Sequence, residues 1–208
     1  MSDGLQIIVG ALIGYVIGMF PSADLVARLA SRGRPDKDAV DLRAAGSGNP
    51  GGLNAARVLG NKWGLLVIVM DAAKGAVAGL VGLAIGDAAA YAAATAVIAG
   101  HCWPVYNGFR GGKGVAAAGG SFLAVFPPLA PIDALITGAT AFLGKSSRLA
   151  IKVALVVWVV AAAVWWAAGW PMWWGPEPSF GLVAYAVLGA AMIQVRFTVS
   201  ARAGSADL

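Results

Sequence analysis

Charged residues are scarce in this 208-residue sequence, in which Asp, Glu, Lys and Arg together make up 12%. Cysteine and histidine occur once each, as Cys102 and His101. A single cysteine rules out an internal disulfide, and the sequence contains no Cys/His cluster of the kind that binds metal. Hydrophobic residues reach 59%, and the mean hydropathy is +0.76. This composition is too apolar for a soluble domain and is typical of a polytopic membrane protein.

Apolar residues form seven segments, at about 5–30, 63–86, 88–106, 115–130, 131–146, 149–169 and 179–197. A helix needs about 20 apolar residues to cross a bilayer. The fourth and fifth segments are shorter and are joined by prolines, so they form either two short spans or a re-entrant pair. The charge pattern favours two spans. We therefore predict an all-α polytopic membrane protein, a single domain over residues 1–208 with about seven transmembrane helices.

The basic residues indicate how these helices are oriented. With the N-terminus outside, all of the 15 Lys and Arg residues except Lys74 fall in or beside inside loops. The outside loops, near residues 3, 87, 127–131 and 177, contain none. The positive-inside rule therefore predicts an external N-terminus and a cytoplasmic C-terminus. It also accounts for the net charge of +5, so the charge does not indicate a nucleic-acid partner.

The longest polar segment contains GSGNPGGLNAARVLG at residues 46–60. It combines glycines with polar and basic residues, namely Gly46, Ser47, Gly48, Asn49, Gly51, Asn54 and Arg57. Glycines allow backbone N–H groups to converge on an anion, and an arginine fork can complete such a site. The glycine spacing matches the dinucleotide-binding fingerprint, but no strand precedes it. We therefore interpret the stretch as an anion site.

A second glycine-rich stretch comprises Gly111, Gly112, Lys113 and Gly114. It is not a Walker loop, because Gly114 occupies the position of the metal-binding Ser or Thr. A solvated basic loop is a common alternative for either stretch. The predicted topology, however, places both stretches on one membrane face, and both put glycines beside a cation. Together they favour phosphate chemistry without a metal.

These stretches resemble a known family. Residues 46–60, the DAAKG sequence at 71–75 and HCWPVYNGFRGGKGVA at 101–116 are similar to the bacterial acyl-phosphate:glycerol-3-phosphate acyltransferases, the PlsY family. The resemblance implies an inner-membrane enzyme of phospholipid synthesis with a cytoplasmic site. It implies transfer of the acyl group from acyl phosphate to the 1-hydroxyl of glycerol 3-phosphate, giving 1-acylglycerol 3-phosphate. It also implies contact with membrane lipid. It implies no metal or other cofactor.

The resemblance also implies roles for individual residues. Catalytic roles fall to Ser47, Asn49 and Lys113. Substrate binding falls to the residues around them, which are Gly46, Gly48, Gly51, Asn54, Arg57, His101, Gly111, Gly112 and Gly114. For His101 a structural role is the stronger interpretation, because it precedes a turn and has no evident carboxylate partner. Asp71 and Lys74, three residues apart on one helix face, are expected to form a structural ion pair.

The sequence departs from the family pattern at three places, of which the C-terminal one helps to build the acceptor site in the family. Leu53 replaces a threonine, Arg148 stands where the family has a small hydroxyl residue, and VRFT at 195–198 replaces a His-x-Glu-Asn stretch. Arg148 is therefore a candidate for binding the acceptor phosphate. A family member with a different acceptor, a carrier of phosphorylated lipids or anions, and a non-catalytic subunit remain as alternatives. The acyl chain preference and the oligomeric state do not follow from the sequence.

Overall fold

The computed structural model describes residues 1–32, 40–142 and 147–202, and it describes side chains except at 137–142, 147–148 and 201–202. Within these ranges the chain forms nine α-helices and no strand. The helices are α1 (Asp3–Gly18), α2 (Ser22–Ser31), α3 (Gly52–Leu59), α4 (Asn61–Leu83), α5 (Asp87–Cys102), α6 (Val115–Val125), α7 (Ala130–Phe142), α8 (Ser147–Ala168) and α9 (Phe180–Arg202). Short 3₁₀ helices at Val105–Asn107 and Pro127–Leu129 connect some of them.

Five stretches of this chain are long and apolar enough to cross a membrane. They are Asp3–Ser31, Asn61–Leu83, Asp87–Asn107, Leu149–Ala168 and Phe180–Ser200. Helices α6 and α7, with 11 and 13 residues, are shorter than the roughly 20 residues a straight span requires. Each of the seven predicted segments contains α-helix, and the number of segments that span the bilayer stays a prediction.

The first predicted segment, 5–30, is two helices and not one. Helix α1 ends at Gly18, and α2 begins at Ser22 directly after Pro21. Proline has no N–H to donate, and it disfavours helical backbone in the residue before it. The break separates an apolar helix from an amphipathic one, whose Val26 and Ala27 are buried while Arg28 is exposed.

Glycines allow the central helices to pack backbone against backbone. Gly10, Gly14 and Gly18, spaced four apart, bring α1 against α5, where any Cβ would overlap main-chain atoms. A glycine repeated every four residues is typical of membrane helices that pack closely. Helices α4 and α6 pack in the same manner, with Gly75 against the backbone of Ala117 and Gly120 against the backbone of Ala72. Helix α5 thus lies at the centre of the bundle, in contact with α1, α4, α6 and α9.

Two clusters of buried apolar residues hold the helices together. The larger lies between α5, α6, α8 and α9 and includes Phe122, Trp158 and Tyr185, with Trp158 centred 4.9 Å from each of the other two rings. The smaller joins α2, α3 and α4 through Ala23, Val26, Leu42, Ala55 and Val67. Because α3 rests on this second cluster, the polar stretch at 46–60 is held against the end of the bundle.

Candidate active site

Asn54 organises the first polar stretch. Its side chain is 2% exposed, and its Oδ1 accepts a hydrogen bond from the backbone N–H of Ser47 at 2.8 Å. Its Nδ2 donates to the carbonyl oxygens of Leu42 and Ala45, each at 2.9 Å. The amide is therefore fully used inside the protein. These contacts hold the loop at Ala45 and Ser47 in place, while the predicted substrate contact of Asn54 stays a prediction.

Three other residues of this stretch offer groups for a ligand. Ser47 is mostly buried, on a backbone that turns through positive φ at Gly46 (58°) and Gly48 (71°). Asn49 is half-buried, and its Oδ1 has no hydrogen-bond partner within the described residues. Arg57 is exposed on α3, one turn beyond Asn54. A buried amide oxygen without a partner is unusual and marks this stretch as incomplete on its own.

The second stretch is held on two sides. The N–H groups of Gly111 and Gly112 donate to the carbonyls of Cys102 and His101, each at 3.1 Å. From the other side, Arg196 on α9 donates from Nε to the carbonyl of Gly112 at 3.0 Å and from Nη2 to that of Gly111. The stretch is therefore clamped between the end of α5 and α9.

These bonds correct one part of the sequence interpretation. Four of the six glycines assigned to phosphate binding use their N–H groups on protein carbonyls: Gly48 on Ala45, Gly51 on Asn49, Gly111 on Cys102 and Gly112 on His101. Those amides cannot also donate fully to a phosphate. Among the described residues, the N–H groups of Gly46 and Gly114 make no such bond. The groups available to an anion are therefore mainly side-chain cations and not these four amides.

Lys113 is the cation within this second stretch. Its side chain is 9% exposed, and its Nζ lies 4.5 Å from the ring centroid of Phe197 on α9. Cation–π contact holds an ammonium in place without neutralising its charge. The divergent 195–198 stretch thus provides Arg196 and Phe197 as supports for the second stretch. The sequence interpretation missed this role, because it considered these positions only for acceptor binding.

A buried charged cluster lies behind the second stretch. Lys74 Nζ is 2.8 Å from Asp71 Oδ1, so the predicted ion pair is confirmed. The same oxygen lies 3.5 Å from His101 Nδ1. The expectation that His101 has no carboxylate neighbour is therefore wrong. Asp71 precedes His101 by 30 positions, and only the packing of α4 on α5 brings them together.

Arg43 connects the two polar stretches. Its guanidinium makes a bidentate ion pair with Asp24 on α2, and its Nε donates to the carbonyl of Arg110 at 3.2 Å. Burial lowers the pKa of Arg43, but hydrogen bonding and attraction from Asp24, with a contribution from Asp41, outweigh burial and raise that pKa above its usual value. Sequence reasoning did not select Arg43 or Asp24, because nothing in their spacing indicates that they meet.

A small polar pocket, open to solvent, lies between the turn that joins α1 to α2, the segment of Arg43 and Pro50, and the second stretch. Its wall includes Arg43 and Pro50, His101 at the end of α5, Gly111 and Gly112 of the second stretch, and Asp71 and Lys74 from α4. Ser47, Asn49, Arg57 and Lys113 lie outside its lining. The side chain of Arg148 lies outside the described residues.

Comparison with known proteins identifies the family. The family model described as glycerol-3-phosphate acyltransferase matches residues 8–202. The chain belongs to the glycerol-3-phosphate acyltransferase family. A relative with this name from Rubrobacter xylanophilus is 34% identical over 92% of this chain and 88% of its own length. Another, from Syntrophotalea carbinolica, is 45% identical, but the match covers 59% of this chain and 60% of that relative.

A solved structure has the same fold as this chain. It is the glycerol 3-phosphate form of PlsY, described as an integral membrane glycerol 3-phosphate acyltransferase. The TM-score is 0.73 and the sequence identity is 29%, over 94% of this chain and 90% of that one. The predicted family and the predicted helical membrane fold are confirmed, whereas the roles of individual site residues stay predictions.

Proposed function

We propose that this protein transfers a fatty acyl group from acyl phosphate to glycerol 3-phosphate, giving 1-acylglycerol 3-phosphate and inorganic phosphate. The observation that carries the proposal is the family match over residues 8–202. The structure adds support, because Arg43, just before the first stretch, donates a hydrogen bond to the carbonyl of Arg110, just before the second, so the two stretches lie at the same end of the bundle.

The chemistry requires placement and charge stabilisation more than a covalent intermediate. Acyl phosphate is a mixed anhydride and is already activated. The acceptor hydroxyl oxygen attacks the carbonyl carbon, the bond from that carbon to the phosphate oxygen breaks, and the phosphate leaves with the electron pair. The hydroxyl proton passes to a phosphate oxygen of the substrates. Holding both reactants in position contributes several kcal/mol to lowering the barrier.

The residues divide between the two substrates. We assign Lys113 the role of stabilising the negative charge on a substrate phosphate, since its ammonium is held over the ring of Phe197. Arg57, exposed on α3, is assigned to a phosphate of the donor or acceptor. Ser47 and Asn49 are assigned to the acceptor hydroxyl and the donor carbonyl, and the partnerless Oδ1 of Asn49 suits a hydroxyl donor.

The divergent 195–198 stretch favours a second candidate, a family enzyme with another acceptor. The family uses polar residues there, whereas Arg196 and Phe197 of this chain are committed to the second stretch. Arg148 remains the candidate for replacing the lost contacts. In that second case the protein would hydrolyse acyl phosphate but transfer little of the acyl group to glycerol 3-phosphate.

The deciding experiment supplies the purified protein with palmitoyl phosphate, with and without glycerol 3-phosphate. We expect phosphate release that depends on the acceptor. Mass spectrometry should detect an equal amount of 1-palmitoylglycerol 3-phosphate. Phosphate release without that product supports the other acceptor. Absence of turnover in protein shown to be folded contradicts an enzyme and leaves a carrier or a silent subunit.

We further place the protein in the bacterial inner membrane with its site on the cytoplasmic side, because basic residues occupy one set of loops. Exposed tryptophans near the other ends of the helices, among them Trp170, Trp173 and Trp174, suit the outer interface. The donor and acceptor of the proposed reaction are cytoplasmic metabolites or face that side.

Cysteine accessibility should report this orientation. Native Cys102 is fully buried, so it gives little background labelling. Asn61→Cys, at the exposed start of α4, should react with a membrane-impermeant maleimide only in inverted vesicles. Ser179→Cys, exposed before α9, should react only in intact spheroplasts. The opposite pattern would reverse the topology and move both polar stretches to the outside.

A further inference from the structure

The buried cluster behind the second stretch contains more than an ion pair. Asp71, Lys74 and His101 are 3%, 7% and 8% exposed, respectively. Charges at this depth in a membrane protein are costly unless they are paired. The 2.8 Å contact between Lys74 and Asp71 meets that requirement without any help from His101. An ion pair alone therefore leaves the placement of His101 unexplained.

The geometry gives His101 a share of the same carboxylate. Its Nδ1 is buried and makes no hydrogen bond within the described residues, and the atom it approaches is Asp71 Oδ1, 3.5 Å away. Lys74 fixes that carboxylate and also donates to the carbonyl of Phe20, at the turn between α1 and α2, at 3.2 Å. Lys74 and His101 thus share one oxygen of the Asp71 carboxylate, and Lys74 holds that carboxylate in place.

His101 in turn touches the second stretch with both its backbone and its ring. Its carbonyl accepts the N–H of Gly112 at 3.1 Å. Its ring lies so close to Gly112 that a Cβ at that position would overlap Nε2. Lys113 is the next residue. Any rotation of the imidazole therefore changes the space available to the segment that carries the Lys113 side chain.

We propose that Asp71 and Lys74 are positioning residues for catalysis, acting through His101 on Gly112 and so on the location of the Lys113 ammonium. Arg196 holds the carbonyls of the same segment from the opposite side, so the segment is fixed between α5 and α9. The inference rests on the proposed function in one respect, namely that Lys113 contacts a substrate phosphate.

The test compares removal of one charge with removal of both. Asp71→Asn or Lys74→Met alone leaves a buried unpaired charge and is expected to impair folding. The double variant Asp71→Asn/Lys74→Met removes both charges and should fold. If the pair only balances charge, the double variant should retain near-wild-type activity. Positioning through His101 predicts a fall in kcat/KM of roughly ten- to a hundredfold, the scale of a small misplacement.

A double-mutant cycle with His101→Asn shows whether the effect passes through the imidazole. Residues that act as one chain give non-additive effects. The triple variant should therefore be no slower than His101→Asn alone. Additive losses, or wild-type activity in the double variant, would overturn the proposal. Asp87→Asn is the matched control, since Asp87 accepts a hydrogen bond from the Glu177 N–H at the far end of α5. Its kcat/KM should stay unchanged.

Amide hydrogen exchange gives a readout that does not depend on activity. In the double variant and in His101→Asn, the peptide that includes Gly111 and Gly112 should exchange at least several-fold faster, while peptides from α8 keep their rates. Unchanged exchange in His101→Asn would refute the connection from His101 to Gly112, even if the double variant does not fold. If wild-type protein lacks acyl transfer while the exchange effect holds, the proposed function fails and the positioning of the segment stands.

Discussion

Lys113→Ala should lower kcat/KM for acyl transfer by at least about a hundredfold while leaving the protein folded. Removing one preorganised group that stabilises developing charge typically costs about 10²–10³ in rate. Lys113 is the charged side chain of the second stretch, and its ammonium lies over the ring of Phe197, 4.5 Å from the centroid. The variant can be compared with wild type by phosphate release at matched amounts of monodisperse protein.

Two further substitutions separate charge from packing. Lys113→Met keeps most of the aliphatic stem that covers Phe197 but removes the charge, so it should be about as slow as Lys113→Ala. Lys62→Met is the matched control, because the Lys62 ammonium also lies over an aromatic ring, 5.0 Å from the centroid of Trp63, at an exposed position. It should behave as wild type. Near-normal turnover of Lys113→Met would remove the charge of Lys113 from the mechanism.

The helices and their closest packing could be predicted from the sequence, because both depend on local pattern. Gly10, Gly14 and Gly18 recur on one face of one helix, and such a stripe needs a close neighbour whatever that neighbour is. The break at Pro21 also had a local signal, since proline interrupts helical hydrogen bonding. The first segment was nevertheless interpreted as one span, because its apolar character continues on both sides of the break.

The contacts that assemble the site could not be predicted in this way. Asp71 meets His101, and Arg196 meets Gly112, only because the rotation of each helix about its axis is set by all of its neighbours together. The glycine content was also a misleading guide to which backbone N–H groups are available. It showed that Gly111 and Gly112 could expose N–H groups, but not that the carbonyls of Cys102 and His101 lie close enough to bind them.

Adjacent glycines on α6 should respond very differently to the same substitution. Gly120 is buried, and a Cβ there would overlap the backbone carbonyl of Ala72 on α4. Main-chain atoms cannot rotate out of the way, so the two helices must separate. Gly119 faces a more open region, where a Cβ would lie 3.4 Å from Asp133 Oδ2. Gly119→Ala therefore tests the change in helix propensity without the clash.

Gly120→Ala should destabilise the protein by about 1–3 kcal/mol or more, the usual scale of overpacking. For a chain of this length that corresponds to a fall in Tm of roughly 2–12 °C. Because α6 begins at Val115, directly after Gly114, its displacement should also move Lys113 and lower kcat. Gly119→Ala should keep Tm within a few degrees and keep full turnover, since alanine favours helix by roughly 1 kcal/mol. Thermal unfolding and phosphate release on both variants measure these outcomes. Equal stability of the pair would show that α4 and α6 do not pack through Gly120.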